Sequence, residues 1–183
     1  MLIFLALFIL FVLIMNYYIA NFSQLSKLDE NCIPISTCSI DPYFFHQKAL
    51  SKSYYMTEGY YVNGNNVLLG IREPILSPSG LSSDAICKKH CQYKERVPDC
   101  PFLIAYRKYL SELDFQNLLA ELERVSEEVR KATGFKGEAS IVLLVYESES
   151  NPCSERKPLI ELFKRHNIEL KNWGHEEIAM FEI

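Results

Sequence analysis

A thiol, a carboxylate and a guanidinium within ten positions of one another are enough for nucleophilic or acid–base chemistry on an anionic ligand. Residues 147–156 carry that set, as Glu147, Cys153 and Arg156. They follow Ser140-Ile141-Val142-Leu143-Leu144-Val145-Tyr146, a continuously apolar, β-branched run that reads as a central strand covered on both faces. Asn151 can cap a helix and Pro152 suits its first position, so a helix is predicted from Pro152 to His166. Cys153 then falls in the first turn, where unpaired N–H groups and the helix dipole favour an anion and a thiolate. Arg156 shares that face and can hold a phosphate or carboxylate bidentately, and Glu147 is placed as general acid or base. These three are the candidate catalytic residues. Arg156 and Asn151, with Arg72 and Tyr106, are the candidate anion-binding residues. On this reading Arg156 sits at a rim, and its loss costs little stability. The same residues also fit a small buried cysteine beneath a helix cap, with Arg156 in an ordinary ion pair.

A second constellation is Cys87-Lys88-Lys89-His90-Cys91, followed by Cys100. Thiolates at that spacing can share a tetrahedral zinc ion, with His90 or another cysteine completing the set. Cys87, His90, Cys91 and Cys100 are the candidate metal ligands, and zinc is the one cofactor the sequence raises. Cys32 and Cys38 flank a short strand and serve either as core residues or as a missing ligand. Reduced thiols, or a disulfide in an exported chain, fit the excursion as well. Lys88, Lys89, Lys94 and Arg96 with Tyr93 make a small basic patch, which fits a solvated loop better than a nucleic-acid contact.

The elements that must position these groups alternate. Asn16 to Ala20 reads as a strand, residues 22–28 as a short helix and Ile33-Pro34-Ile35 as a second strand. Residues 39–66 look irregular, with clustered Tyr54, Tyr55, Tyr60 and Tyr61. Val67 to Arg72 reads as a strand, and residues 74–101 as a long excursion with four prolines and three cysteines. A helix is predicted over Phe102–Leu113. A second begins after the cap Asp114, carries an apolar stripe from Leu118 to Val129 and stops at Gly134. A short strand around Ile168–Leu170 and an apolar segment 178–183 close the chain. The expected fold is α/β: a single-domain, Rossmann-like three-layer sandwich with a largely parallel sheet over residues 16–183.

The chain has 183 residues, 19 Lys plus Arg against 23 Asp plus Glu, and 49% hydrophobic residues. That is the composition of a folded domain with a real core, and its mild acidity argues against a surface built mainly for nucleic acid. Residues 1–15 form an apolar extension without a preceding positive charge. Fifteen residues fall short of the roughly 20 that span a bilayer. The extension reads as dispensable with Met15 as a second start, as a single-span anchor, or as a cleaved leader.

Three segments in order resemble the domain of unknown function 488 family. They are the strand Ile141–Glu147 with Asn151–Arg156, the junction Tyr106–Asp114, and the opening Tyr18–Ser36. In that family the strand ends in Tyr-Glu and Cys-His-Arg opens the helix. Here the sequence is Cys-Ser-Glu-Arg, so the histidine is missing and Arg156 comes one position later. The resemblance implies a Rossmann-like α/β fold, a polar site at Glu147, Cys153 and Arg156, and a soluble, cytoplasmic protein beginning at Met15. The function classes that follow are three. One is an anion- or nucleotide-binding domain, with hydrolase or transferase chemistry on Cys153. Another is a metal-clamped adaptor that meets protein or nucleic acid through residues 87–100. The third is a membrane-anchored extracytoplasmic domain.

Overall fold

The structure is a computed structural model that describes residues 15–29, 31–46, 55–57, 60–62, 68–78, 81, 100–134 and 137–174. Among the described residues seven strands run in chain order: β1 (Asn16–Asn21), β2 (Cys32–Ser36), β3 (Tyr55–Thr57), β4 (Tyr60–Val62), β5 (Leu68–Leu69), β6 (Ser140–Val145) and β7 (Leu170–Asn172). The described α-helices are α1 (Pro101–Ser111), α2 (Phe115–Thr133) and α3 (Arg156–Arg165), with short 3-10 helices at Phe22–Lys27, Tyr43–His46 and Pro74–Leu76. The main sheet has the order β2-β6-β1-β7, and every pair in it is parallel. A small antiparallel sheet holds β3, β4 and β5. The protein is thus α/β with an all-parallel main sheet.

A strand apolar from Ile141 to Val145 has to be covered on both faces, and β6 is buried along its whole length, Ser140 included. On one face Ile19, Ile35, Ile141 and Leu143 pack with residues from all three α-helices, among them Tyr106, Leu118, Leu122 and Phe163. On the other face Ala20, Val142 and Leu144 meet Phe22, Leu25 and Phe45 from 3-10 turns, and Trp173. Pro34 lies within β2 yet does no harm, because β2 is an edge strand. Ser36, two residues on, turns its N–H outward to the Ile71 carbonyl at 2.9 Å, and Pro34 presents its missing N–H to that same side.

The helices start and stop for local reasons. The Asp114 side chain accepts from the Asn117 N–H at 3.1 Å at the start of α2. Gly134 ends it with φ 71°, a left-handed conformation that glycine adopts without a Cβ penalty.

Several expected boundaries move. The Val67–Arg72 strand is split: Gly70 has φ 84°, so Leu68–Leu69 pairs with β4 while Arg72 makes a single parallel bridge to Ser36. The stretch expected to be irregular contains the Tyr43–His46 turn, β3 and β4. The strand expected around Ile168–Leu170 lies at Leu170–Asn172, because Asn167 (φ 60°) turns the chain first, and the apolar segment 178–183 lies outside the described residues. Most consequential, α3 begins at Arg156 and not at Pro152. The Asn151 side chain accepts from the Cys153 N–H at 3.1 Å and its carbonyl from the Ser154 N–H at 3.3 Å, which makes a turn. Only Glu155 O begins the helical ladder, accepting from Leu159 N at 3.2 Å.

Candidate functional site

The chain leaves β1 through the 3-10 helix Phe22–Lys27 on one face of the sheet, and leaves β6 towards α3 on the other. Adjacent parallel strands whose connections part in this way leave a crevice beyond their carboxyl ends, and that is where ligands of open α/β sheets bind. The residues at those ends are Asn21 closing β1, Thr37 and Cys38 after β2, Tyr146 and Glu147 after β6, and Asn172 closing β7.

Cys38 is fixed by its neighbours. Its N–H donates to Ser36 Oγ at 3.2 Å, and its thiol lies 3.8 Å from the Leu144 carbonyl oxygen. Thr37 ties the same turn to β6, with its N–H and its Oγ1 both donating to Leu144 O, at 3.1 and 3.0 Å. The thiol is 4% exposed. Burial, and then the carboxylates of Glu155, Glu147 and Asp41, hold it well above its ordinary pKa and therefore protonated.

Glu155 stands just before α3, but its side chain does not cap that helix. It is 9% exposed, and its Oε2 is buried without a hydrogen-bond partner. Burial, and secondarily the Glu147 carboxylate, push its pKa up to about 8. Glu147 also has a buried Oε2 without a partner. Its pKa is raised by burial, against the opposing pull of its own N–H and of Arg156. Tyr106 on α1 lies in the field of both carboxyl groups and of Cys38. The arrangement is therefore two neighbouring carboxyl groups that resist ionisation together, with a protonated thiol beside them. Groups of this kind move protons near neutral pH.

The expected anion-binding cations are occupied elsewhere. Arg156 is 4% exposed; its Nη1 donates to Ile19 O at 3.1 Å and to Asn172 Oδ1 at 2.7 Å. Its Nε is buried without a partner, and burial lowers its pKa against the pull of Glu149 and Glu147. Asn172 in turn donates to Glu149 Oε1 at 3.0 Å. Arg156 is thus a strut from α3 to β1 and β7, and not a rim clamp. Arg72 pairs with Asp41 at 2.9 Å and donates to the carbonyls of Cys38 and Ser39 at 2.9 and 3.0 Å, which closes the turn after β2. Tyr106 is fully buried, and its hydroxyl donates to the Leu76 carbonyl. Asn151 makes the turn described above.

Cys153 lies three residues before α3 and is 9% exposed, so it does not occupy the first helical turn that the sequence suggested. Of the expected metal ligands, Cys87, His90 and Cys91 lie outside the described residues, as does the basic patch around Tyr93. Cys100 is 1% exposed at the head of α1, packed with Phe102 and Leu103. Among the described residues no cluster of three His, Cys, Asp or Glu side chains is placed to hold a metal ion. No described helix is long and apolar enough to cross a membrane, and residues 1–14 lie outside the description.

At the same end of the sheet, Phe22 holds Phe44 and Tyr146 around it, with ring centroids 6.2 and 5.3 Å away. Those outer rings are 47% and 49% exposed.

Sequence reasoning missed Glu155 as a site residue and read Cys38 only as a core residue or a missing ligand; Cys38 does lie in the core. Glu155 stood inside the motif already under consideration; the signal was a second carboxylate eight positions after Glu147, across one turn. Cys38 had a weaker signal, a polarizable residue just past a strand end. No family model matches the chain, and no curated protein or solved structure does either.

Proposed function

We propose that this α/β protein binds a small molecule beyond the carboxyl ends of β2 and β6 and transfers protons to or from it through Glu155 and Glu147. The observation that carries the reading is the pair of unpartnered carboxylate oxygens, Glu147 Oε2 and Glu155 Oε2, buried together at the strand end. A buried acceptor without a donor costs stability, on the order of 1–3 kcal/mol, and a ligand that supplies the donor recovers it. Glu155 is the proton-holding member and Glu147, closer to Arg156, the more readily ionised one. Cys38 belongs to the same site as a neutral thiol. This reading keeps the strand-end location proposed from the sequence and rests the chemistry on carboxyl groups in place of a Cys153 thiolate.

The test is a metabolite panel screened by ligand-observed NMR against the wild type, Glu155→Gln and Glu147→Gln. Ligands that bind the wild type and are lost from both folded variants support the reading. A panel whose binders bind all three proteins equally overturns it.

A further inference from the structure

Resting on that reading of the site, we infer that its ligand presents a protonated nitrogen, an ammonium or guanidinium group, to the unpartnered oxygens of Glu147 and Glu155. Among the described residues those two atoms lack hydrogen-bond donors, and neither Arg72 nor Arg156 supplies one. Arg72 is committed to Asp41 and to two main-chain carbonyls. Arg156 points its Nη1 at Ile19 and Asn172. Glu155 is more than nine-tenths buried, so bulk water does not meet the need from outside.

Charge points the same way. The groups whose fields meet here are Glu147, Glu155, Asp41, the neutral Cys38 thiol and the Tyr106 hydroxyl, with Glu149 and Arg156 at the edge. With Arg72 balanced by Asp41 and the Arg156 charge shared between Glu149 and Glu147, Glu155 is left without a counter-charge among the described residues. An anion placed there meets two carboxyl groups; an ammonium or guanidinium gives each of them an N–H donor and a charge. The half-exposed rings of Phe44 and Tyr146 at the same sheet end add faces that attract cations and repel anions. A further unpartnered donor, Arg156 Nε, asks for a neutral acceptor on the same ligand, such as a hydroxyl or amide oxygen.

Binding a cation ionises the pair, so protonation and binding compete. Because burial and mutual repulsion hold the proton on Glu155 up to about pH 8, affinity for a cation should rise about tenfold per pH unit below that value and level off above it. The experiment is a titration of full-length protein carrying 13C-labelled glutamate carboxyl groups with agmatine, ethanolamine, inorganic phosphate and acetate, at pH 6 and pH 8. The expected result is that agmatine or ethanolamine shifts the Glu147 and Glu155 resonances. Binding should be at least tenfold tighter at pH 8, release about one proton at pH 6, and disappear in Glu155→Gln. If Glu155 titrates well above the ordinary range but only phosphate or acetate perturbs it, or no probe does, the ligand class is overturned and the proton-transfer site stands. If Glu155 titrates in the ordinary carboxylate range and no probe moves it, both fall.

Discussion

The Arg156 guanidinium reaches the main-chain carbonyl of Ile19, 137 positions upstream, at 3.1 Å. The same carbonyl accepts from the Trp173 N–H at 3.0 Å, so one oxygen joins β1 to the end of β7 and to the first residue of α3. Arg156 is thereby a structural residue, and its removal should be costly. Arg156→Ala leaves Asn172 Oδ1 without its 2.7 Å donor and opens space beneath α3. We expect a loss of about 2–4 kcal/mol in urea unfolding. Arg156→Lys keeps one donor but not the fork, and should recover only part. A loss under about 0.5 kcal/mol for the alanine variant would return Arg156 to the rim.

Glu155 predicts a pH dependence of stability. Its folded pKa, about 8, lies above that of an unfolded carboxyl. The folded state therefore binds more protons than the unfolded state between those values, and stability must fall as pH rises across that window. Its contribution is fully present below about pH 4 and is lost by about pH 8, amounting to roughly 4–5 kcal/mol. Glu155→Gln should remove most of that slope, leaving the part that Glu147 contributes, and be more stable than wild type at pH 8. Equal urea midpoints for the two proteins at pH 5 and pH 8 would show that Glu155 is ordinary.

How much of this was legible in the sequence depends on which residues are asked. β6 was, because the five successive apolar residues Ile141 to Val145 have no amphipathic alternative once both faces are covered. α2 was, because Asp114 and Gly134 mark its ends independently of the fold. The start of α3 was not. Asn151-Pro152 reads equally as a helix start or as a turn, and the choice was made by the bonds from Asn151 to Cys153 and Ser154. That one turn moved Cys153 out of the helix and turned Arg156 inward. The commitment of Arg72 to Asp41 depends on a bridge between Ser36 and Arg72, a pairing that no local pattern announces.

Cys38 should be among the slowest thiols to alkylate. It is 4% exposed, and burial with three nearby carboxylates keeps it protonated, while the thiolate is the reacting form. Iodoacetamide at pH 8 followed by peptide mapping should leave Cys38 unmodified in native protein and modify it in urea. Rapid native modification would mean that the turn after β2 is open.

Tyr106→Phe should cost about 1–2 kcal/mol. The hydroxyl is fully buried and donates to Leu76 O, so the variant strands that carbonyl in the core. Tyr109→Phe is the control: Tyr109 donates to the neighbouring Ile75 O at 2.8 Å but is only partly buried, so water can replace it. Its cost should be under half as large. Equal losses in thermal unfolding would show that burial does not distinguish the two.

The last prediction concerns the opening residues. Asn16–Asn21 lies inside the sheet as β1, in register with β6 over six positions and with β7 over three. Tyr17, Ile19 and Ala20 are 7%, 0% and 0% exposed, and Met15 packs partly on the same core. Burying side chains of the size of Ile19 and Tyr17 stabilises by roughly 1.5–3 kcal/mol each, before the ladder bonds are counted. Loss of β1 would also separate β6 from β7, because no pairing joins those strands directly. The chain starting at Met15 should therefore unfold cooperatively with a midpoint within a few degrees of the full-length protein. A chain starting at Asn21 should show no cooperative transition at all. Far-UV circular dichroism melts of both, with sedimentation to separate aggregate, provide the measurement. A cooperative melt for the Asn21 form would mean that β1 is dispensable and that the sheet order is wrong. An aggregated Met15 form beside a folded full-length protein would mean that residues 1–14 take part in the fold.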